Sequence, residues 1–409
     1  MDVLATLRAR GFIKQITHEE ELGQALASGP MTVYAGFDPS ADSMHAGHLL
    51  PVLMLRWFQK AGHRVIAVVG GGTGRVGDPT GRTELRKVLS EEQIAKNIEG
   101  LRGQLGRFLV LDGERGLLVD NSSWLMELGY IDFLRDIGRH FSVNRMLASE
   151  AYKQRMARGL SFLEFNYQIL QAYDFLELFR SEGCTVQLGG DDQWGNIVAG
   201  VDLIRRVTSG QAYGVTLPLL TTATGAKMGK TAKGAVWLDA NRLSPFDYYQ
   251  YWLNADDRDV AKFLRLFTDL DLERIEELGA LQGADIRKAK AVLAFEATAM
   301  VHGAEAAEAA QTAGKAMVSG DAAADIPSHT VDSSALAEGI RVYVVLADAG
   351  MVKSRGEGRR LIKGGGVKLN GDKVTDPEAD LTLADVGDGA VLRIGKKRAL
   401  RVVAASTGG

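Results

Sequence analysis

Between residues 31 and 197, short β-rich runs alternate with longer stretches of helical spacing, and no other feature of the chain restricts its fold as much. The runs are MTVYAGF (31–37), RVIAVVG (64–70), GLLVDN (116–121) and CTVQLGG (184–190). Between them apolar residues return at helical intervals, as in Leu49, Leu53 and Trp57 or in Val88, Ile94 and Ile98. Strands joined by helical crossovers run parallel with helices on both faces, so the pattern implies an α/β fold around a parallel sheet. Ligands of such sheets sit beyond the carboxyl ends of the strands, which makes the loops after Phe37, Gly70 and Gly190 the expected place for chemistry.

After about Thr222 the strand signals fade. Residues 244–254, 259–270 and the Ala-rich stretch 287–319 read as helices, the second with Val260, Phe263, Leu264 and Phe267 on one face. A small, polar, proline-containing segment then reads as a linker into a third module. The expected organisation of these 409 residues is a parallel-sheet domain over 1–220, an all-α domain over 221–319 that opens on a lysine-bearing loop, a linker over 320–335 and a small α+β domain over 336–409.

The formal net charge of −3 conceals an asymmetry. Residues 336–409 carry 13 Lys/Arg against 9 Asp/Glu, whereas the rest of the chain carries 35 against 42. Lys353, Arg355, Arg359, Arg360, Lys363 and Lys368, and again Lys396, Lys397, Arg398 and Arg401, form clusters dense enough for phosphate contacts. Asn370-Gly371 between alternating runs predicts a tight hairpin in the same module. The single cysteine, Cys184, excludes an internal disulfide framework and a Cys-based zinc site, and fits a reducing compartment. No run approaches eighteen apolar residues and the N-terminus lacks the apolar core of a signal peptide, so a cytoplasmic protein with no membrane partner is expected.

Five stretches carry candidate chemistry. YAGFDPSADSMHAGHLL (34–50) is a strand, a polar loop and the first turn of a helix bearing His45 and His48. Their spacing puts both imidazoles on one face at a helix N-terminus, where free N–H groups and the helix dipole favour an anion such as phosphate. A surface pair or a metal fragment would use the same two residues; Gly47 between them, and Asp38 and Ser40 in the same loop, favour a ligand site. VVGGGTGRVGDPTGR (68–82) contains G-x-G-x-x-G after a strand, but Gly77-Asp78-Pro79 prolongs the loop where a dinucleotide site would begin its helix. It reads as a glycine-rich active-site loop with Asp78 toward the ligand.

FLEFNYQILQAYDFLELF (162–179) reads as one buried helix that nevertheless stacks Tyr167, Gln171 and Asp174 on one face. Unpaired polar groups there would cost about 1–3 kcal/mol each, so the stripe is either bonded internally or the wall of a polar pocket. In QLGGDDQWGNI (187–197), Gly189 and Gly190 permit close approach to a ligand and one of Asp191 and Asp192 is expected to cap the next helix. In TTATGAKMGKTAKGAVWL (221–238), Lys227, Lys230 and Lys233 sit in a loop whose composition lets it close over a polyphosphate.

Together these stretches resemble the bacterial tyrosyl-tRNA synthetases of class I along essentially the whole chain. His45-Ala46-Gly47-His48 is similar to that family's HIGH signature and Lys227-Met228-Gly229-Lys230-Thr231 to its KMSKS loop. The basic C-terminal module resembles the small RNA-binding domain first described in a ribosomal small-subunit protein. The resemblance implies a Rossmann-like catalytic domain followed by an all-α domain and an α+β RNA-binding domain. It also implies activation of L-tyrosine by ATP with Mg2+, transfer to tRNA(Tyr), a homodimer, and no protein-bound metal or organic cofactor.

By the same resemblance, Tyr34 and Asp174 would bond the substrate phenol, and Asp78, Tyr167, Gln171 and Gln193 would surround its α-ammonium group. Gly36, Asp38, Gly47, Gly190 and Asp192 would hold the nucleotide or adenylate, with His45 and His48 on its phosphate and ribose side. Lys227, Lys230 and Thr231 would grip ATP through the departing pyrophosphate, with Arg82 and Arg86 in a basic loop nearby. Two departures stand out: Gly229 replaces the signature's serine, and Pro51 removes a backbone donor, which a helix tolerates in its first turn. A tryptophan-specific relative is disfavoured by the polar pair Tyr34 and Asp174, an inactive RNA-binding paralogue by intact His45, His48, Lys227 and Lys230, and an oxidoreductase rests on the glycine pattern alone.

Overall fold

The structure, a computed structural model, describes residues 1–80, 89–156, 159–223, 225, 228–231, 234–319, 327–387, 389–395 and 398–405. They fall into two compact units, Met1–His302 and Gly303–Gly409.

The first unit is organised by a six-stranded sheet of β1 (Gln15–Ile16), β2 (Thr32–Phe37), β3 (Arg64–Val69), β4 (Gly116–Asp120), β5 (Cys184–Gly190) and β6 (Tyr213–Leu217), in the spatial order β1-β6-β5-β2-β3-β4. Neighbours are parallel except β1 and β6. The four expected runs are all strands. Burial of β3 from Val65 to Val69 fits a sheet covered on both faces, which wants a continuous apolar run. From β2 the chain moves outward to β3 and β4, then returns to β5 on the other side of β2. The order reverses between β2 and β5, and a crevice opens at the carboxyl ends of these two strands.

The helix Ala46–Lys60 starts at His45 and buries Leu49, Leu53 and Phe58. Pro51 lies in its second turn rather than its first, so the N–H it lacks is one that would have bonded the Gly47 carbonyl. The single helix expected over 162–179 is divided at Asn166 into Phe162–Phe165 and Tyr167–Glu182. Ser161 and Glu164 cap the short piece reciprocally, and Glu164 also receives buried Arg155 at 3.0 Å. That start turns Phe162 and Leu163 outward, 69% and 46% exposed, against the all-round burial expected of them.

Beyond the sheet, a hairpin of β7 (Lys230–Thr231) and β8 (Gly234–Ala235) leads into the helices Pro245–Leu253, Val260–Phe267, Leu272–Gly279 and Ile286–His302. Trp252 packs on Phe263 and Phe267 at their centre. The Ala-rich stretch is two helices divided at Gly303, the second, Ala304–Ser319, belonging to the second unit.

The second unit holds β9 (Ser328–Val331), β10 (Ile340–Arg341), β11 (Val367–Leu369), β12 (Asp372–Lys373), β13 (Asp380–Leu381), β14 (Ala390–Ile394) and β15 (Arg398–Ala404). Five of these form a sheet in the order β12-β11-β14-β15-β9 around a core that includes Leu346, Ile362, Val367 and Leu392. Asn370 and Gly371 make the expected turn between β11 and β12, with φ of 51° and 99°. Of the segment expected as a linker, 320–326 lies outside the described residues and 328–331 is β9. Among the described residues no helix is long and apolar enough to cross a membrane.

Candidate active site

The crevice between β2 and β5 is a cavity of about 220 Å³ bordered by Tyr34, Gly36, Asp38, His48, Asp78, Tyr167, Gln171, Asp174, Gly190 and Gln193. Residues from four separate stretches of sequence thus meet on one volume. At its deep end β2 presents Tyr34, 1% exposed, in register with Gln187 on β5. The Tyr34 hydroxyl and the Gln187 side-chain oxygen Oε1 are both buried and without a hydrogen-bond partner among the described residues. An orphaned polar atom of this kind costs about 1–3 kcal/mol, which a bound polar group would relieve. Burial, and then the nearby Asp174, push the Tyr34 phenol well above its usual titration range, so it stays a donor.

Asp174 is fixed from β4's carboxyl end. Asn121 donates to one of its oxygens at 2.9 Å and the Trp124 indole to the other at 2.7 Å. Burial raises the carboxyl to about 7 in spite of these two bonds, with Asp38 contributing in the same direction. Asn121 also donates to Thr73 Oγ1 at 2.9 Å and accepts from the Gly72 N–H at 2.8 Å, which ties the glycine-rich loop to the same carboxylate. Neither Asn121 nor Trp124 was singled out in the sequence; the polar NSSW stretch following a strand was the available signal.

The polar stripe forms the wall. Tyr167 donates to Asp38 Oδ2 at 2.8 Å, while Thr73 donates to Asp38 Oδ1 at 2.8 Å. Gln193 donates to Asp78 at 2.6 Å, and Asn196 links Gln171 and Gln193 at 3.0 and 3.1 Å. The chain of amides and carboxylates offers several acceptors to a cation at one end of the cavity. The expected capping by Asp191 or Asp192 does not occur. Gln193 occupies the N-cap of the helix Trp194–Thr208 without a side-chain bond, and Asp191 instead accepts from Gln15 at 2.6 Å. Asp192 lies beside Gly190, whose missing Cβ would stand 2.5 Å from its carboxylate.

His45 and His48 stack with ring centroids 3.8 Å apart. Each uses Nδ1 as an acceptor, His45 from the Gly47 N–H at 3.1 Å and His48 from the His45 N–H at 3.4 Å, an arrangement in which the neutral form of each ring carries its proton on Nε2. His48 borders the cavity, and His45 stands behind it with Gly47.

The lysine loop meets this turn through its backbone. The Ala46 N–H donates to Val236 at 2.8 Å, the Leu238 N–H to Met44 at 2.9 Å and the Val236 N–H to Gly229 at 2.9 Å, with His45 and Trp237 paired between them. Of Lys230 and Thr231 the backbone alone is described, in β7; Lys227, Arg82 and Arg86 lie outside the described residues.

Comparison with known proteins agrees with this geometry. Residues 26–319 match the family described as tRNA synthetases class I (W and Y), and residues 340–386 match the S4 domain. The chain is 50% identical to a tyrosine–tRNA ligase of Desulfosudis oleivorans, covering 97% of this chain and 98% of that one, and 51% identical to one of Caulobacter vibrioides, covering 98% and 97%. Among solved structures it is similar to a C-terminally truncated mitochondrial tyrosyl-tRNA synthetase of Aspergillus nidulans, with a TM-score of 0.69 and 31% identity over 76% of this chain and 92% of that one.

Proposed function

The chain belongs to the tyrosyl-tRNA synthetases of class I, and on that premise we propose its reaction and the part each side chain of the crevice takes in it. It activates L-tyrosine with MgATP and passes the tyrosyl group to the 3′-terminal adenosine of tRNA(Tyr). In the first step the ionised tyrosine carboxylate attacks the α-phosphorus, the bond to the β-phosphate oxygen breaks and pyrophosphate leaves. In the second, a ribose hydroxyl attacks the carbonyl carbon and AMP leaves. A carboxylate nucleophile needs no general base at neutral pH, so the first step rests on positioning and on stabilising charge at the phosphates.

The observation that carries this reading is the polar deep end of the cavity, where an orphaned Tyr34 hydroxyl and a fixed Asp174 carboxylate offer one donor and one acceptor to a single phenol. Phenylalanine would leave the Tyr34 hydroxyl orphaned and bring Asp174 no donor beyond Asn121 and Trp124. The acceptors of Asp78, Tyr167, Gln171 and Gln193 suit the α-ammonium group. Gly36, Asp38, Gly47, Gly190 and Asp192 hold the nucleotide, with His48 and His45 donating from Nε2 toward the phosphate and ribose. Lys227, Lys230 and Thr231 take the pyrophosphate.

An inactive paralogue finds no support, since relatives sharing half of the sequence are tyrosine–tRNA ligases. The glycine-rich loop passes through a three-residue turn, Thr73–Arg75, rather than into the helix a dinucleotide site requires. In the second unit exposed Lys353, Arg360 and Lys363 on and beside the helix Arg355–Lys363 suit tRNA phosphates, whereas Arg355 pairs with Asp348 at 3.8 Å and Arg359 is engaged with Glu378 and Tyr343. A homodimer is supported by the exposed apolar side chains gathered between residues 126 and 163, among them Tyr130, Ile131 and Phe162. Charging of tRNA fits a cytoplasmic protein. Attachment of labelled tyrosine to transcribed tRNA(Tyr) tests the reading: ATP-dependent charging is expected, and folded protein that charges none refutes it.

A further inference from the structure

The lysine loop has a second set of contacts, to the helical segment that follows it. Its base is closed by the Met228 N–H donating to Leu220 at 2.9 Å. Beside that closure the Ala223 N–H donates to Asp259 Oδ2 at 2.7 Å, and Lys262 Nζ donates to the Thr221 carbonyl at 2.7 Å. Asp259 and Lys262 are themselves 3.9 Å apart at the start of the helix Val260–Phe267.

Two details separate Asp259 from an ordinary surface acid. It is 4% exposed, and a buried carboxylate is costly unless charge-assisted bonds offset its lost hydration. It also stands where an aspartate would normally cap the helix that follows, yet it makes no cap bond; Asp256, which accepts from the Arg258 N–H at 3.0 Å, caps the preceding turn instead. The Asp259 carboxylate is therefore committed to the loop. With Lys262 bonded to the carbonyl two residues before Ala223, the pair fixes the orientation of both peptides at the loop's base.

We propose that Asp259 and Lys262 are positioning residues for tyrosyl-adenylate formation: they hold the base of the lysine loop so that its lysines meet the departing pyrophosphate. The proposal rests on the role given to that loop above. Neither residue touches the reacting atoms, and a displacement on the order of 1 Å at the loop is enough to cost up to about a hundredfold in rate.

Rapid-quench measurement of tyrosyl-adenylate formation, with tyrosine affinity measured separately, tests it. Asp259→Ala is expected to lower the rate about tenfold to a hundredfold, to raise the KM for pyrophosphate in the reverse reaction and to leave tyrosine affinity unchanged. Asp259→Asn, whose amide oxygen still accepts from the Ala223 N–H, is expected to recover most of the rate. Lys262→Ala removes a side chain that is 42% exposed and is expected to slow the step at an unchanged thermal midpoint, which decides the matter if Asp259→Ala fails to fold. An unchanged rate in Lys262→Ala, or a tyrosine affinity that falls in step with the rate, overturns the role. If the unsubstituted protein forms no adenylate, the functional reading fails and the positioning role with it.

Discussion

Gly229 and Gly47 approach so closely that a Cβ on Gly229 would stand 2.9 Å from the Gly47 nitrogen. Gly229 also holds a φ of +84°, a region that costs other residues about 1–2 kcal/mol. The contact joins the lysine loop to the histidine turn, so a glycine in place of the signature's serine is what this packing requires rather than a weakened signature.

Gly229→Ser, which restores the signature, is therefore expected to slow adenylate formation by about tenfold or more, the effect of about 1–2 kcal/mol of strain at the loop. Tyrosine affinity should be untouched, because the phenol end of the cavity is remote from the loop in sequence and in bonding. Single-turnover kinetics with and without the substitution measure both.

Burial raises the Asp174 carboxyl from its ordinary 3.8 to about 7. Between those values the folded protein holds a proton that the unfolded chain has released, so this group's contribution to stability is complete at low pH and is lost as pH rises through about 7. A phenol that donates to Asp174 needs the ionised form. Tyrosine binding is accordingly expected to weaken on acidification below neutrality, by up to about tenfold per pH unit. Calorimetric titration across neutral pH should show this in the unsubstituted protein and a flat profile in Asp174→Asn.

Trp124→Phe removes one of the two bonds that favour the Asp174 carboxylate. A hydrogen bond to a charged group contributes about 1.5–3 kcal/mol, enough to move the midpoint of that binding profile upward by about one unit. An unmoved midpoint would show that the indole does not tune the carboxylate.

The strands β2 to β5 and the stripe of Tyr167, Gln171 and Asp174 were legible because they depend on local periodicity, which a chain displays along its length. The partners of Asp174 were not: Asn121 and Trp124 lie 53 and 50 residues away and come together with it only once β4 takes its place in the sheet. The outward turn of Phe162 and Leu163 follows from the Ser161–Glu164 cap, a local signal that the apolar run obscured. Asp191 failed as a cap because Gln15, far away in sequence, engages its carboxylate. The need for glycine at 229 depends on the close approach of two loops more than 180 residues apart, which no spacing rule contains.

Removal of the residues after Ser319 takes away the S4-type module and leaves every residue of the cavity in place. Adenylate formation is expected to continue at the full-length rate, while charging at low tRNA concentration falls and loses part of its salt dependence. Parallel loss of both activities would contradict the division of labour.

The central claim is that the Tyr34 and Asp174 end of the cavity selects a phenol, and amino-acid-dependent exchange of pyrophosphate into ATP tests it most directly. Exchange is expected with tyrosine and not with phenylalanine or tryptophan, and Tyr34→Phe is expected to narrow the preference for tyrosine over phenylalanine by about fivefold to tenfold, the worth of one buried hydrogen bond. Equal exchange with phenylalanine in the unsubstituted protein, or exchange with tryptophan alone, would contradict the account.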